Sequence, residues 1–191
     1  MSNRLARADV PVEVTWDLSD LFADDAAWES ELQAVAGALS AISAYQGRLG
    51  HDAATLHDGL NALESLQLRM ARLGTFAHLR LAQDGTDAQH QAAVARVSAL
   101  HARVDAGTSF VDAEILALPE GRLPDWMAAE PGLADFEVWL NDLLEQRPHR
   151  LGAETERALA ALGEVLDAPA MIYNRAKAGD MQFASFTDDT G

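Results

Sequence analysis

The stretch DDAAWESELQAVAGALSAIS, residues 24–43, decides the fold class of this 191-residue chain. Its large apolar side chains recur at intervals of four, three, four and three residues, at Trp28, Leu32, Val35, Leu39 and Ile42. This spacing is typical of one face of an amphipathic α-helix. Asp24 precedes the pattern and is a suitable N-cap, because its carboxylate can accept hydrogen bonds from the free amides of the first helical turn. The stretch therefore predicts a helix that begins after Asp24 and stops at Gly47.

A second helical pattern follows after a short connection. It opens near Asp52 and continues to Gly85, with apolar residues at Leu56, Leu60, Leu63, Met70 and Leu81. At more than thirty residues, this predicted helix is well above the usual length in globular proteins. The connection at 46–51 is short, so we expect the first two helices to be antiparallel neighbours.

The start of a third helix is indicated by a capping pattern. Thr86 stands three residues before Gln89, the spacing of a capping box, so we expect this helix to begin at Asp87. Its apolar residues continue to about Leu118, where Pro119 ends it because proline disfavours the helical conformation of the preceding residue. The connection at 84–86 is again short and predicts a second antiparallel hairpin.

Composition supports the same fold class. The chain has 37 alanines and 26 leucines against 10 valines and 3 isoleucines, and β-branched side chains are the less favourable in helices. The absence of cysteine excludes disulfide scaffolds, thiolate nucleophiles and cysteine-ligated metal sites. Composition therefore favours an intracellular helical protein.

We predict an all-α fold of long antiparallel helical hairpins followed by shorter helices, with a short β-strand and turn at the C-terminal end. The shorter helices are predicted at 125–129, 133–146, 153–166 and 168–178. Met181 and Phe183 indicate the strand, and 188–191 has the composition of a hairpin turn. The predicted organisation is an extended lead-in at 1–22, a three-helix antiparallel unit at 23–119, shorter helices of the same domain at 120–179, and the start of a truncated β-hairpin at 180–191.

The chain is strongly acidic. Thirty Asp and Glu residues against fourteen Lys and Arg give a formal net charge of −16, which argues against nucleic acid and anionic membranes as partners. The acids concentrate in two stretches, residues 9–31 with eight acids and no base, and residues 105–145 with ten acids and only Arg122. These stretches are either solvated helix faces or an acidic wall that attracts cationic peptides.

The sequence contains no signal for export or membrane insertion. Residues 1–9 are polar with no apolar segment after them, and no apolar run approaches the 18 residues that a membrane span needs. We therefore expect a cytoplasmic protein.

No catalytic constellation is visible. None of the six histidines is followed by Glu, and no two are four residues apart, so the His-Glu-x-x-His motif of zinc peptidases is absent. The pair Asp87 and His90 is interpreted as ordinary surface, and His149 as a structural histidine rather than a ligand. We predict no catalytic, cofactor-binding or metal-ligating residues in this chain, and no activity from it alone.

Five short strings, taken in order, resemble the N-terminal region of the oligoendopeptidase F family of zinc metallopeptidases, relatives of thimet oligopeptidase. They are the strings WDLSDLF at 16–22 followed by Trp28, FA at 76–77 with DGTD at 84–87, RPH at 147–149 with the acids Glu154 and Glu156, and DMQF at 180–183. The resemblance covers residues 12–191. Phe76 stands where the family often has Tyr, and Gly152 where Ser or Thr is usual, which affects packing and capping only.

The resemblance implies a function that the residues alone do not. Members of the family are longer, almost entirely helical cytosolic endopeptidases that act on short peptides, and their zinc site lies in a C-terminal half that this chain does not contain. The resemblance therefore implies an N-terminal helical domain that forms part of the substrate-cleft wall, with the catalytic half of the same polypeptide and short peptides as partners, and with zinc in that missing half. The alternative is an autonomous acidic helical module that binds proteins and has no catalytic activity.

Overall fold

The computed structural model describes residues 9–149 and 162–177, together with the single positions 155 and 159. These residues fall into two compact units, one within Leu5–Arg147 and the other within Pro148–Gly191. The first unit contains α1 (Asp25–Ser43), α2 (Ala53–Gln83), α3 (Ala88–Thr108), α4 (Phe110–Leu116), α5 (Arg122–Ala129) and α6 (Glu137–Gln146). The second contains α7 (Gly163–Arg175). Short 3₁₀ helices lie at Val12–Val14, Leu18–Asp20, Pro131–Phe136 and Arg147–His149.

All regular secondary structure in the described residues is helical, which confirms the all-α class. The strand and hairpin predicted at 180–191 lie outside the described residues. Within the helices that the structure describes, none combines the length and apolar character that a membrane span requires.

The first two helices begin where capping chemistry predicts. Asp24 accepts a hydrogen bond from the Ala27 amide at 2.7 Å, and Asp52 accepts one from the Thr55 amide at 2.7 Å. Each carboxylate satisfies a donor that the helix itself leaves free. α1 ends at Ser43, four residues before Gly47, and Gly47 instead takes a left-handed conformation with φ of 77° in the loop before α2.

The third helix differs from its prediction at both ends. Its N-cap is Asp87, which accepts from the Gln89 and His90 amides, whereas the Thr86 hydroxyl donates to Asp84. The single helix expected up to Leu118 is divided at Ser109 into α3 and α4. Thr108 and Ser109 donate their hydroxyls to backbone carbonyls of the preceding turn, and such local bonds compete with the continuing helix.

Two predicted boundaries near prolines are wrong. The helix expected over 133–146 begins with a 3₁₀ turn from Pro131, and only Glu137–Gln146 is α-helical. The boundary expected at Ala168 is absent, because α7 runs through Pro169. Proline removes one amide donor but has a helical φ, and the carbonyl four residues earlier belongs to Val165, whose side chain is exposed.

Two hydrophobic clusters hold the first unit together. The first joins α1, α2 and α3 through Trp28, Leu32, Val35, Ile42, Leu66, Met70, Leu73, Phe76, Ala77, Val97, Leu100 and Val104. The second joins the N-terminal half of α2 to the later helices through Leu49, Leu56, Leu60, Leu63, Val111, Ile115, Leu118, Leu123, Leu133, Leu140 and Leu143. Burial of one such large side chain is worth about 1.5–3 kcal/mol. The long helix α2 belongs to both clusters and therefore connects them.

The packing of α2 predicts opposite effects at two of its glycines. A Cβ at Gly59 would lie 2.5 Å from Cδ2 of the buried Leu49, whereas a Cβ at Gly74 meets nothing closer than Cγ1 of Val97 at 3.8 Å. Gly74→Ala should raise the free energy of unfolding by up to about 1 kcal/mol through helix propensity. Gly59→Ala should lie about 1–3 kcal/mol below Gly74→Ala because Leu49 must move out of its packed position. Urea denaturation of both variants measures the difference, and equal stabilities would contradict the packing described here.

Candidate functional site

A groove of about 290 Å³ opens between α1, α2 and α3, and we call it the three-helix groove. Its wall consists of Asp25, Trp28, Glu29, Phe76, Ala77, Arg80, Gln89, His90, Ala92, Ala93 and Arg96. The α3 residues Gln89, Ala92, Ala93 and Arg96 follow the three- and four-residue spacing of one helix face, which is why they line one wall together. The volume is close to the lower end of the range for small-ligand sites, about 300–1,000 Å³.

The floor of the groove is aromatic and rigid. Trp28 and Phe76 stack with ring centroids 6.4 Å apart, and both side chains are buried. The indole Nε1 of Trp28 donates to the carbonyl of Leu73 at 3.1 Å, which fixes the ring. Phe22 packs edge-on against Phe76 at 5.4 Å. The floor is therefore an apolar surface that does not rearrange easily.

One guanidinium at the rim is fully engaged. Arg96 donates to both carboxylate oxygens of Glu29, at 2.6 and 2.7 Å, and lies 5.6 Å from the Trp28 ring. Gln33 donates to the same carboxylate at 3.1 Å. The Arg96 hydrogen bonds, followed by the one from Gln33, lower the pKa of Glu29 from its ordinary value of 4.5 to about 2. This bidentate pair neutralises Glu29 at neutral pH.

The second guanidinium at the rim is held more loosely. Arg80 makes a single contact of 3.3 Å with Asp25, whose side chain is 69% exposed. The Arg80 guanidinium lies 6.0 Å from the Phe76 ring, above the aromatic floor. A single-point ion pair with an exposed partner contributes little free energy, so Arg80 can exchange Asp25 for another anion at small cost.

Most acids of the first acidic stretch cap helices or form ion pairs with arginines. Asp17 and Asp24 cap helices, and Asp25, Glu29 and Glu31 pair with arginines. Arg69 makes two hydrogen bonds to Glu31, at 2.6 and 3.0 Å, and these lower the pKa of Glu31. Five of the eight acids in residues 9–31 therefore act as caps or ion-pair partners rather than as open negative charge.

The second acidic stretch keeps an open face on α6, which we call the α6 acidic face. Glu137, Asp142 and Glu145 are exposed. Asp142 and Glu145 lie on the same side of the helix as Val138, which is 76% exposed, and Glu137 lies about 100° around the helix axis from Val138. The opposite side of α6 packs Leu140 and Leu143 into the core. Among the described residues, none of the ion pairs involves these three acids.

Asp87, His90 and His149, which the sequence analysis considered for possible chemistry, lie at helix ends. Asp87 caps α3, and the Nδ1 of His90 lies 3.3 Å from the carbonyl of Asp84. His149 is exposed in the 3₁₀ helix Arg147–His149. In the part of the chain that the structure describes, no three or more His, Asp or Glu side chains are grouped closely enough to hold a metal ion.

Sequence reasoning missed the three-helix groove. Its ion pairs join residues 55 and 67 positions apart, which no local pattern reveals. The shared helix face of Gln89, Ala92, Ala93 and Arg96 was the available signal, since all four of these side chains are small or polar.

The known proteins that this chain resembles are oligopeptidases. A sequence profile described as Oligopeptidase F matches residues 114–183. Oligopeptidase PepF of Bacillus subtilis (strain 168) is 30% identical over 185 residues, which make up 97% of this chain and 28% of that protein. Group B oligopeptidase PepB of Streptococcus agalactiae is 25% identical over 93% of this chain and 30% of its own length.

A solved structure shares the fold. Oligoendopeptidase-F from Enterococcus faecium matches 87% of this chain and 32% of its own chain with a TM-score of 0.71, at 24% identity. The chain corresponds to the N-terminal region of the oligoendopeptidase F family. It spans less than a third of the length of each of these three relatives.

Two strings that carry the oligoendopeptidase F resemblance have packing roles in the structure. In the string at 16–22, Leu18, Leu21 and Phe22 pack against the first hydrophobic cluster, and Arg72 donates to the Leu21 carbonyl at 2.7 Å. In the string at 147–149, Arg147 donates to the carbonyls of Leu116 and Leu118 at 2.9 and 3.2 Å, at the end of α4. These residues satisfy carbonyls and close the core, so their role here is structural.

The Glu29–Arg96 pair predicts a specific pH dependence of stability. The pKa of Glu29 is lowered in the folded protein, so its contribution to stability is complete above pH 4.5 and is lost as the pH falls toward about 2. Arg96→Gln should therefore reduce the loss of unfolding free energy between pH 4.5 and 2. Urea denaturation across that range measures the effect, with Arg103→Gln, an exposed arginine on the same helix, as the control. Identical pH profiles for Arg96→Gln and the unmodified protein would contradict the assignment.

Proposed function

We propose that this chain is the N-terminal helical domain of a cytoplasmic zinc metalloendopeptidase that acts on short peptides, and that it forms part of the substrate-cleft wall. The observation that carries the proposal is the extent of the match. Oligopeptidase PepF aligns with 97% of this chain but only 28% of its own length. A domain of a longer peptidase accounts for both figures.

The residues of this chain do not fit a zinc site. The sequence lacks the His-Glu-x-x-His motif, and the described residues contain no cluster of three or more side chains that could hold a metal. The proposal therefore assigns the zinc, and with it the hydrolysis of the peptide bond, to another part of the longer polypeptide. This chain would contribute the wall that limits which peptides enter.

An exposed apolar face on α7 favours this proposal over an autonomous binding module. Leu162, Val165, Leu166, Ile172 and Tyr173 lie on one side of the helix and are 49–68% exposed. An autonomous module is expected to bury its apolar helix faces, because exposed apolar patches otherwise promote association. A domain that continues into a larger protein would cover this face with the rest of the polypeptide.

The α6 acidic face supports the cleft-wall role. Two of its exposed carboxylates, Asp142 and Glu145, lie beside the exposed Val138, so the face offers both negative charge and an apolar contact. Such a surface attracts cationic peptides with apolar side chains. The same face is also the observation that favours the alternative function, an acidic module that binds basic protein segments.

The proposed function makes a prediction about the gene and about the α7 face. We expect the reading frame to continue beyond Gly191 and to encode a His-Glu-x-x-His motif. In that longer protein, the pair Val165→Gln and Leu166→Gln should lower the melting temperature, whereas in the isolated chain it should change the unfolding free energy by no more than about 0.5 kcal/mol because both positions are exposed.

Met171→Gln is the matched control, since Met171 is 50% exposed and lies on the opposite side of α7. It should be silent in both proteins. A stop codon directly after Gly191, or a longer protein that tolerates the double substitution as well as the control, would contradict the proposal.

A second prediction concerns peptide charge. A lysine-rich heptapeptide should bind the chain more tightly than a glutamate-rich one at low salt, and 0.5 M NaCl should suppress the difference by screening. The pair Asp142→Asn and Glu145→Gln should weaken binding of the basic peptide about two- to fivefold, on the scale of two exposed charge interactions.

The control pair Asp58→Asn and Glu64→Gln removes two exposed acids from α2 and should leave the affinity nearly unchanged. Fluorescence anisotropy of the two labelled peptides measures their affinities for the unmodified chain and for both double variants. Equal losses from both pairs would mean that net charge alone, rather than the α6 acidic face, governs the interaction.

A further inference from the structure

The three-helix groove combines features that neither the family assignment nor the proposed cleft-wall role explains. Its floor is aromatic and rigid, its volume is about 290 Å³, and two arginines lie directly over the aromatic rings at 5.6 and 6.0 Å. In a chain with a net charge of −16, this groove has as many arginines as carboxylates, since Arg80 and Arg96 face Asp25 and Glu29. The groove lies wholly within the first compact unit.

The two arginines differ in their availability. Arg96 already donates two hydrogen bonds to Glu29, and that carboxylate also accepts one from Gln33. Glu29 therefore neither repels an incoming anion strongly nor has strong acceptor capacity left for an incoming amine. Arg80 has one contact at 3.3 Å with the largely exposed Asp25, which can turn into solvent. Arg80 is the group through which the groove can recognise a charged ligand.

The position of Arg80 sets the shape of that ligand. Its guanidinium stands above Phe76, so an anion bound to it places any attached group over the floor of Phe76 and Trp28. Ala77, Ala92 and Ala93 line part of the remaining wall and leave room for an aliphatic side chain, and Gln89 and His90 complete that wall. A planar guanidinium matches a carboxylate in particular, because it can donate two parallel hydrogen bonds.

We propose that the three-helix groove binds a terminal carboxylate attached to a small apolar body, such as the C-terminal residue of a short peptide or a free branched carboxylic acid. Arg80 holds the carboxylate, and Trp28 and Phe76 receive the apolar group. This binding does not depend on the proposed function, since all of the participating residues belong to the described chain.

The test uses the full 191-residue chain and isothermal titration calorimetry at low salt. The probes are N-acetyl-alanyl-leucine with a free carboxylate, the same dipeptide as a C-terminal amide, and 4-methylpentanoate. The free acid should bind at least tenfold more tightly than the amide, because the amide loses the charge-assisted hydrogen bonds to Arg80. If 4-methylpentanoate binds as tightly as the dipeptide acid, the source is a free carboxylic acid; if it binds much more weakly, the source is a peptide.

Variants separate this site from general charge effects. Arg80→Gln should weaken binding of the acid at least tenfold, Arg80→Lys should retain part of it, and Arg103→Gln, an exposed arginine on α3, should leave it unchanged. Ala92→Trp fills the groove from an exposed position and should abolish binding while Arg80 remains in place. Circular dichroism and thermal melts verify that each variant is folded. Equal affinity for acid and amide, no binding of either acid, or an unchanged affinity in folded Arg80→Gln would overturn the proposal.

Discussion

The hydrogen bond from the Trp28 indole to the Leu73 carbonyl is the contact on which the arrangement of the first three helices depends. It joins residues 45 positions apart, and it is buried. A buried indole N–H without a partner would cost about 1–3 kcal/mol, so the bond restricts how α1 can rotate and slide against α2. Once Trp28 is fixed, Phe76 stacks beside it and Arg96 of α3 lies above it. One donor thus fixes the ring around which contacts from three helices are arranged.

Sequence reasoning succeeded where the determining physics is local. The caps at Asp24 and Asp52 and the apolar spacing of α1 involve residues within a few positions of each other, so the sequence shows them directly. It failed where local hydrogen bonds compete with each other or where contacts join distant positions. The break at Ser109 depends on hydroxyls that turn back onto carbonyls of the preceding turn, and Leu39 of α1 packs closely against Gly107. The candidate groove could not be predicted because its ion pairs join distant positions.

The acids show why composition was an incomplete guide to function. A net charge of −16 describes the whole chain, but the structure distributes that charge unequally. In residues 9–31, five of the eight carboxylates are placed at helix starts or opposite Arg69, Arg80 and Arg96, so their charge is neutralised or used in capping. On α6 the exposed carboxylates have none of the described arginines opposite them. The α6 acidic face can therefore project a negative potential toward solvent.

This unequal distribution follows from how few bases the chain contains. Fourteen Lys and Arg cannot pair with thirty acids, so each arginine placed beside the groove leaves another surface more negative. Three arginines converge on the acids of α1, because α1 presents Asp25, Glu29 and Glu31 toward Arg69 and Arg80 of α2 and Arg96 of α3. The acids of α6 face water instead and need no partner to remain charged. The paired acids of α1 and the acidic surface of α6 thus both reflect how the few positive charges of the chain are distributed.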